Sequence, residues 1–143
     1  MIPNIHNLLN DRGLRAAWLN SDGVTSKVVN NYALPRLVKE WDYGLLQFSR
    51  AQIQPSPNCN VINALQKMRI PILIIHGDSD SLVPLRNSVN LVNTINARNV
   101  NNTVENVDLA ELVVVRAGHV PHEEVPILFL DKVQNFLQKH GVL

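Results

Sequence analysis

Ile72-Leu73-Ile74-Ile75-His76-Gly77-Asp78-Ser79-Asp80-Ser81-Leu82-Val83-Pro84 is the stretch that decides the fold. Residues 70 to 76 are continuously apolar rather than alternating, the pattern of a strand covered on both faces in a parallel sheet. Pro71 is tolerable only near the start of such a strand or on an edge. Pro84 fits the first turn of a following helix. The short turn between strand and helix carries Asp80, a proton-handling side chain. A second apolar run, at 112 to 115, ends in the same way, in Arg116-Ala117-Gly118-His119-Val120-Pro121-His122-Glu123-Glu124.

Working outward, Leu85, Val89, Val92 and Ile95 or Asn96 trace the buried stripe of a helix after the first strand. Residues 97 to 110 are polar and Asn-rich and predict a surface loop, longer than such connections usually are. The last helix should open near Pro126, with Phe129, Leu130, Val133, Phe136 and Leu137 on its core face. Lys139 and His140 suit its C-terminal dipole, and Gly141 fits just past its end. Upstream, Val61, Leu65 and Met68 suggest a short helix, and Pro55-Ser56-Pro57-Asn58 is a breaker. Residues 1 to 54 read as helical and carry most of the aromatics. Leu14, Trp18 and Leu19 share a face, Trp41, Leu45 and Phe48 recur at i, i+4, i+7, and Asp22-Gly23 and Pro35 punctuate the segment. The order is a helical segment over 1 to 54, then strand, helix, strand, helix within 55 to 143. There are no internal repeats.

Composition narrows the function classes. The 143 residues, net charge of +1 and 17% charged residues describe an ordinary soluble chain with room for one domain. The charge balance gives no reason to expect nucleic acid as a partner. The apolar runs are far short of the roughly 20 residues that span a bilayer. The opening Met1-Ile2-Pro3-Asn4-Ile5-His6 lacks the plan of a signal peptide. The single cysteine, Cys59, makes no internal disulfide, so a reducing, cytoplasmic setting is expected. Asn101-Asn102-Thr103 is a formal glycosylation sequon that such a setting would leave unused.

In an open α/β sheet, functional groups collect at the carboxyl ends of the strands, where Asp80 and His119 both fall. A carboxylate that holds an imidazole in one tautomer lets it take a proton from a nucleophile or from water. The alternative is a capping Asp and a buried, hydrogen-bonded His. Asp78 competes with Asp80, although it could equally serve the turn. His122 competes with His119, which follows Gly118 directly at the strand's end. His119-x-x-His122-Glu123 is too sparse for a metal site. Cys59 has no histidine motif near it and reads as inert. Gly77-Asp78-Ser79-Asp80-Ser81 imitates a nucleophile elbow, but Ser81 replaces the second glycine and two carboxylates flank Ser79. No other serine is set between glycines.

At these residues the chain resembles the α/β-hydrolase superfamily, in its epoxide-hydrolase-like and plant-type esterase-like branch. Residues 72 to 80 with Val83-Pro84 look like the acid strand and turn, in which the second aspartate, Asp80, is the triad acid. Ala117-Gly118-His119 with Pro121-His122-Glu123-Glu124 and Pro126 looks like the histidine turn, with His119 catalytic. Ala17-Trp18, Val24-Thr25, Tyr32, Pro35 and residues 41 to 48 look like cap helices. The resemblance implies a partial α/β-hydrolase fold, with a helical cap (1 to 54) followed by the last two parallel strand–helix units (55 to 143). Trp18, Tyr32, Trp41 and Tyr43 are candidates to line a substrate pocket under the cap, or are ordinary core. Paired lid tyrosines activate an epoxide oxygen in epoxide hydrolases, which makes Tyr32 and Tyr43 worth naming.

The strands that would carry the oxyanion loop and a Gly-x-Ser-x-Gly elbow have no counterpart here. The expectation is therefore a truncated hydrolase, catalytically incomplete and inactive alone. An upstream serine would complete an esterase or lipase; an upstream aspartate would complete an epoxide hydrolase or, by the same logic, a haloalkane dehalogenase. The substrate would be a small apolar ester or epoxide, and no cofactor or metal is implied because the triad does the work. Two parallel strands leave two open edges, so marginal stability or self-association is expected. The rival expectation is a non-catalytic ligand-binding or scaffold protein built on the same fold.

Overall fold

Two parallel strands form the centre of the structure, a computed structural model that describes residues 11–53, 61–68, 70–97 and 109–143. Strand β1 (Ile72–Gly77) pairs with β2 (Ala110–Val115) in the register Ile72↔Ala110 to Gly77↔Val115. Backbone bonds prolong the ladder at both ends, from Ile72 N to Leu109 O (2.7 Å) and from Asp78 N to Val115 O (2.8 Å). The strands therefore run as the apolar stretches predicted, each a residue or two displaced in its boundaries. Helices and a parallel pair together make a mixed α/β architecture.

In chain order the helices are α1 (Asp11–Ala17), α2 (Ser26–Ala33), α3 (Trp41–Ile53), α4 (Val61–Met68), α5 (Leu85–Asn96), α6 (Pro121–Glu124) and α7 (Pro126–Lys139). Short 3-10 turns at Ser21–Gly23 and Leu34–Leu37 separate the first three. Local chemistry explains the starts and stops. Thr25 Oγ1 accepts from Val28 N (3.4 Å) and caps α2. The Asn20 side chain accepts from Asp22 N (3.1 Å) and caps the first 3-10 turn. Pro126 occupies the first turn of α7. Gly141, at φ 68, ends that helix while its N–H bonds Gln138 O and Val142 N bonds Leu137 O. Pro84 differs from expectation by one position: it is the extended N-cap of α5 rather than its first helical residue.

Among the described residues the buried apolar core is Leu14, Ala17, Val24, Ile95, Ala110, Val115 and Ala117. Ile95, at 1% exposed, is the single position of the α5 stripe that is fully enclosed, whereas Val89 stands out to solvent. The same holds in α7, where Leu130 is exposed although periodicity places it on the core face. Residues Ile72, Leu73, Ile74 and Ile75 of β1 are only half-buried, not covered on both faces. The described sheet has only two strands and so offers the helices a narrow face to rest on. Asn96 pins the two layers together, donating from Nδ2 to Ala110 O (2.9 Å) and accepting from Ala110 N (2.9 Å). The predicted breaker at 55 to 58, Cys59, the sequon and most of the Asn-rich loop lie outside the described residues.

Candidate acid–histidine site

Gly77 lets the two strand ends converge. A Cβ there would collide with the carbonyl oxygens of Gly118 and Ala117. Gly118 is equally confined, since a Cβ would strike Ala17 O and come within 2.7 Å of Leu19 N. These contacts bring the turn after β1 against the turn after β2, and Ser79 N bonds Ala117 O across them (3.1 Å). Asp80 and His119 meet as a result. Asp80 Oδ2 lies 2.9 Å from His119 Nδ1. The other carboxylate oxygen, Oδ1, accepts from Leu82 N (2.8 Å) and Val83 N (2.9 Å).

The electrostatics follow from this cage. The Asp80 side chain is 5% exposed and that of His119 is 40% exposed. Burial works to raise the Asp80 pKa, but the N–H of Val83, the His119 imidazole and the N–H of Leu82 together outweigh it and hold the carboxyl below its usual value. An ionised carboxylate only accepts, so the Nδ1 facing it carries the proton. Nε2 of His119 is then the basic nitrogen, and it has no hydrogen-bond partner among the described residues. A buried anion, an oriented imidazole and a free Nε2 form a hydrogen-bonded acid–histidine pair, an arrangement able to accept a proton at Nε2.

Asp78 is exposed and receives the Ser79 hydroxyl (2.8 Å) instead. His122 stands beside Glu123 (3.7 Å) and sets its ring edge-on to Phe129. Among the described residues no hydroxyl bonds His119: those of Ser49, Ser79, Ser81 and Ser88 are engaged with Leu45, Asp78, Ala16 and His76. Among the described residues no group of three or more His, Cys, Asp or Glu could hold a metal ion. None of their helices is long and apolar enough to cross a membrane.

The N-terminal segment is laced to the histidine turn. His119 N bonds Ala17 O (2.7 Å), and Ser81 Oγ donates to Ala16 O (2.7 Å). Glu124 takes three backbone donors, Gly118 N on Oε1 (2.6 Å) and Leu19 N (2.8 Å) and Asn20 N (3.4 Å) on Oε2. Behind the pair, on β1, His76 is buried with Nδ1 at 2.8 Å from Ser88 Oγ and Nε2 at 3.1 Å from Val83 O. Sequence reasoning missed both Glu124 and His76. A polar residue inside an otherwise apolar strand was the available signal for His76; Glu124 offered none, because two of its three partners, Leu19 and Asn20, lie over a hundred positions away.

The four aromatic candidates separate. Trp18 follows α1, and its indole lies on Gly23, where a Cβ would come within 2.7 Å of the ring. Its Nε1 is buried without a hydrogen-bond partner. Tyr32 donates its hydroxyl to Glu123 Oε1 (2.9 Å). Tyr32 and Trp41 line an apolar groove of 440 Å³ with Pro35, Leu45 and Phe48. Tyr43 is 60% exposed and does not line it, so the two tyrosines do not share a cavity. Neither Asp80 nor His119 lines that groove. A larger cavity of 660 Å³ opens at the opposite, amino end of β2, beside Ala110 and Glu111.

No family model, no curated protein and no solved structure matches this chain.

Proposed function

We propose that this chain carries the acid–base half of an α/β-type hydrolase acting on small apolar carboxylic esters or epoxides. In this reading His119 is the general base and Asp80 its orienting acid, and the nucleophile is contributed by polypeptide other than these 143 residues. The observation that carries it is the 2.9 Å approach of Asp80 Oδ2 to His119 Nδ1 at the carboxyl ends of two parallel strands. With a serine in place, His119 Nε2 would take its proton, pass it to the leaving alcohol and then take a proton from water; with an aspartate nucleophile, which carries no proton, only the activation of water would use it. By itself the chain retains only the reactivity of an oriented, half-exposed imidazole.

Hydrolysis of a short-chain nitrophenyl ester tests this, with His119→Ala and Asp80→Asn alongside. The expected result is hydrolysis far below that of a complete triad, falling in His119→Ala to the level the remaining histidines supply and dropping in Asp80→Asn. A fluorophosphonate probe should label no serine. Equal rates in the chain and in His119→Ala would overturn the assignment.

The apolar groove at Tyr32, Trp41 and Phe48 favours a second reading, in which the helical segment binds an apolar ligand without turning it over. A blue shift of tryptophan emission on adding a non-hydrolysable alkyl ether, lost in Trp41→Ala, is its expected signature.

A further inference from the structure

We propose that His76 is a positioning residue for the Asp80–His119 pair, acting through the turn that holds the carboxylate. The inference rests on taking that pair as the chain's acid–base machinery. His76 lies on β1, is 7% exposed, and takes no direct part in that chemistry.

Its protonation pattern is dictated by its partners. Val83 O can only accept, so the nitrogen facing it at 3.1 Å, Nε2, carries a proton. In the neutral ring Nδ1 is then an acceptor, and the Ser88 hydroxyl at 2.8 Å donates to it. Ser88 belongs to α5 and His76 to β1, so two regular elements fix the ring. The ring in turn fixes the Val83 peptide by its carbonyl.

The N–H of the same residue, with that of Leu82, holds Asp80 Oδ1. Restraining Oδ1 sets the rotation of the carboxylate and aims Oδ2 at His119. His76 Nε2 also lies 3.7 Å from Oδ2, the oxygen that His119 Nδ1 approaches to 2.9 Å. One carboxylate oxygen thus stands between two imidazoles, the buried one placing it and the half-exposed one using it.

A buried histidine that merely filled space would stabilise the whole fold without a specific effect on His119. The two roles separate in the hydrogen exchange of the His119 Nδ1–H, followed by NMR on the full-length chain and identified by its loss in His119→Gln. In His76→Leu this proton is expected to exchange about tenfold faster or more, while the amides of Ile95 and Val115 keep their protection. His76→Gln, whose amide can still donate to Val83 O, should restore slow exchange. Ser88→Ala should fall between. Unchanged exchange in His76→Leu overturns the proposal, as does equal acceleration of every amide. Should His76→Leu fail to fold, Ser88→Ala against the unmodified chain decides by the same two criteria. Absence of a protected Nδ1–H in the unmodified, folded chain would instead refute the Asp80–His119 pairing, and with it this proposal.

Discussion

Asp80 is caged on both oxygens, and its charge is part of the fold. Its folded carboxyl titrates below the usual value, because two backbone N–H groups and His119 outweigh the cost of burial. A depressed folded pKa contributes stability above the unfolded pKa of about 3.9, and that contribution is lost as pH falls through the folded value. Asp80→Asn is expected to cost about 1–3 kcal/mol near neutral pH, the range for hydrogen bonds to a charged group in a partly desolvated setting. Urea unfolding of both forms should show that gap closing as pH falls below about 4, the unfolded carboxyl's range. A gap that stays constant with pH would mean that the carboxylate's charge is not what the turn holds. Gly77 makes a separate point at this scale. Its missing Cβ is what lets the carbonyls of Ala117 and Gly118 approach β1. Gly77→Ala should therefore cost about 3 kcal/mol or more, since backbone cannot move aside as a flexible side chain does. A melting temperature equal to that of the unmodified chain would contradict the close approach.

Helix α6 is one turn long, yet two of its residues tie distant parts of the chain together. Glu124 accepts from Gly118, Leu19 and Asn20. Glu124→Gln keeps one accepting oxygen and turns an NH2 toward N–H donors. A loss of about 2 kcal/mol is expected, with faster amide exchange at Leu19, Asn20 and Gly118 but not at Val115. Glu123 holds the Tyr32 hydroxyl, and burial first, then the hydrogen bond and charge of Glu123, push that phenol up to about 12. A folded pKa raised above the unfolded value of about 10 gives stability that is complete below pH 10 and lost as pH rises through 12. Absorbance titration should show a late ionisation step near 12, absent in Tyr32→Phe. These two acids also mark how far the sequence could be read. The strands were legible because an unbroken run such as Ile72-Leu73-Ile74-Ile75 has few other uses, and the helices because Trp41, Leu45 and Phe48 keep helical spacing. The approach of Asp80 to His119 was legible from strand order, each ending its own strand. Exposure was not: Phe48 keeps the helical period yet is 62% exposed, since periodicity reports a face and not what covers it. Long-range acceptors such as Glu123 and Glu124 leave no local pattern at all.

For the molecule as a whole, the quantity that matters is apolar surface without a cover. Val114 on β2, Leu37, Val38 and Phe48 in the N-terminal helical segment, and Ile127 and Leu130 on α7 are all large, apolar and exposed. The described sheet has two strands, so each strand has hydrogen-bonding groups facing away from its only neighbour. Exposed apolar area and open sheet edges each favour pairing between copies or with a complementary segment. Sedimentation velocity is expected to show species larger than a monomer as the chain is concentrated from about 10 to 200 μM, the range in which exposed edges and apolar surface drive association. Val114→Lys places a charge on β2, a device by which natural sheets resist such pairing, and should return the chain to a monomer. The amide exchange of β1 should stay unchanged in that variant, because Val114 points to solvent rather than into the core. A chain that stays monomeric across the whole range would put the uncovered area below what self-association requires. A Val114→Lys variant that still associates would move the contact from the sheet to the apolar face of α7, where Ile127→Lys becomes the variant that must dissociate it.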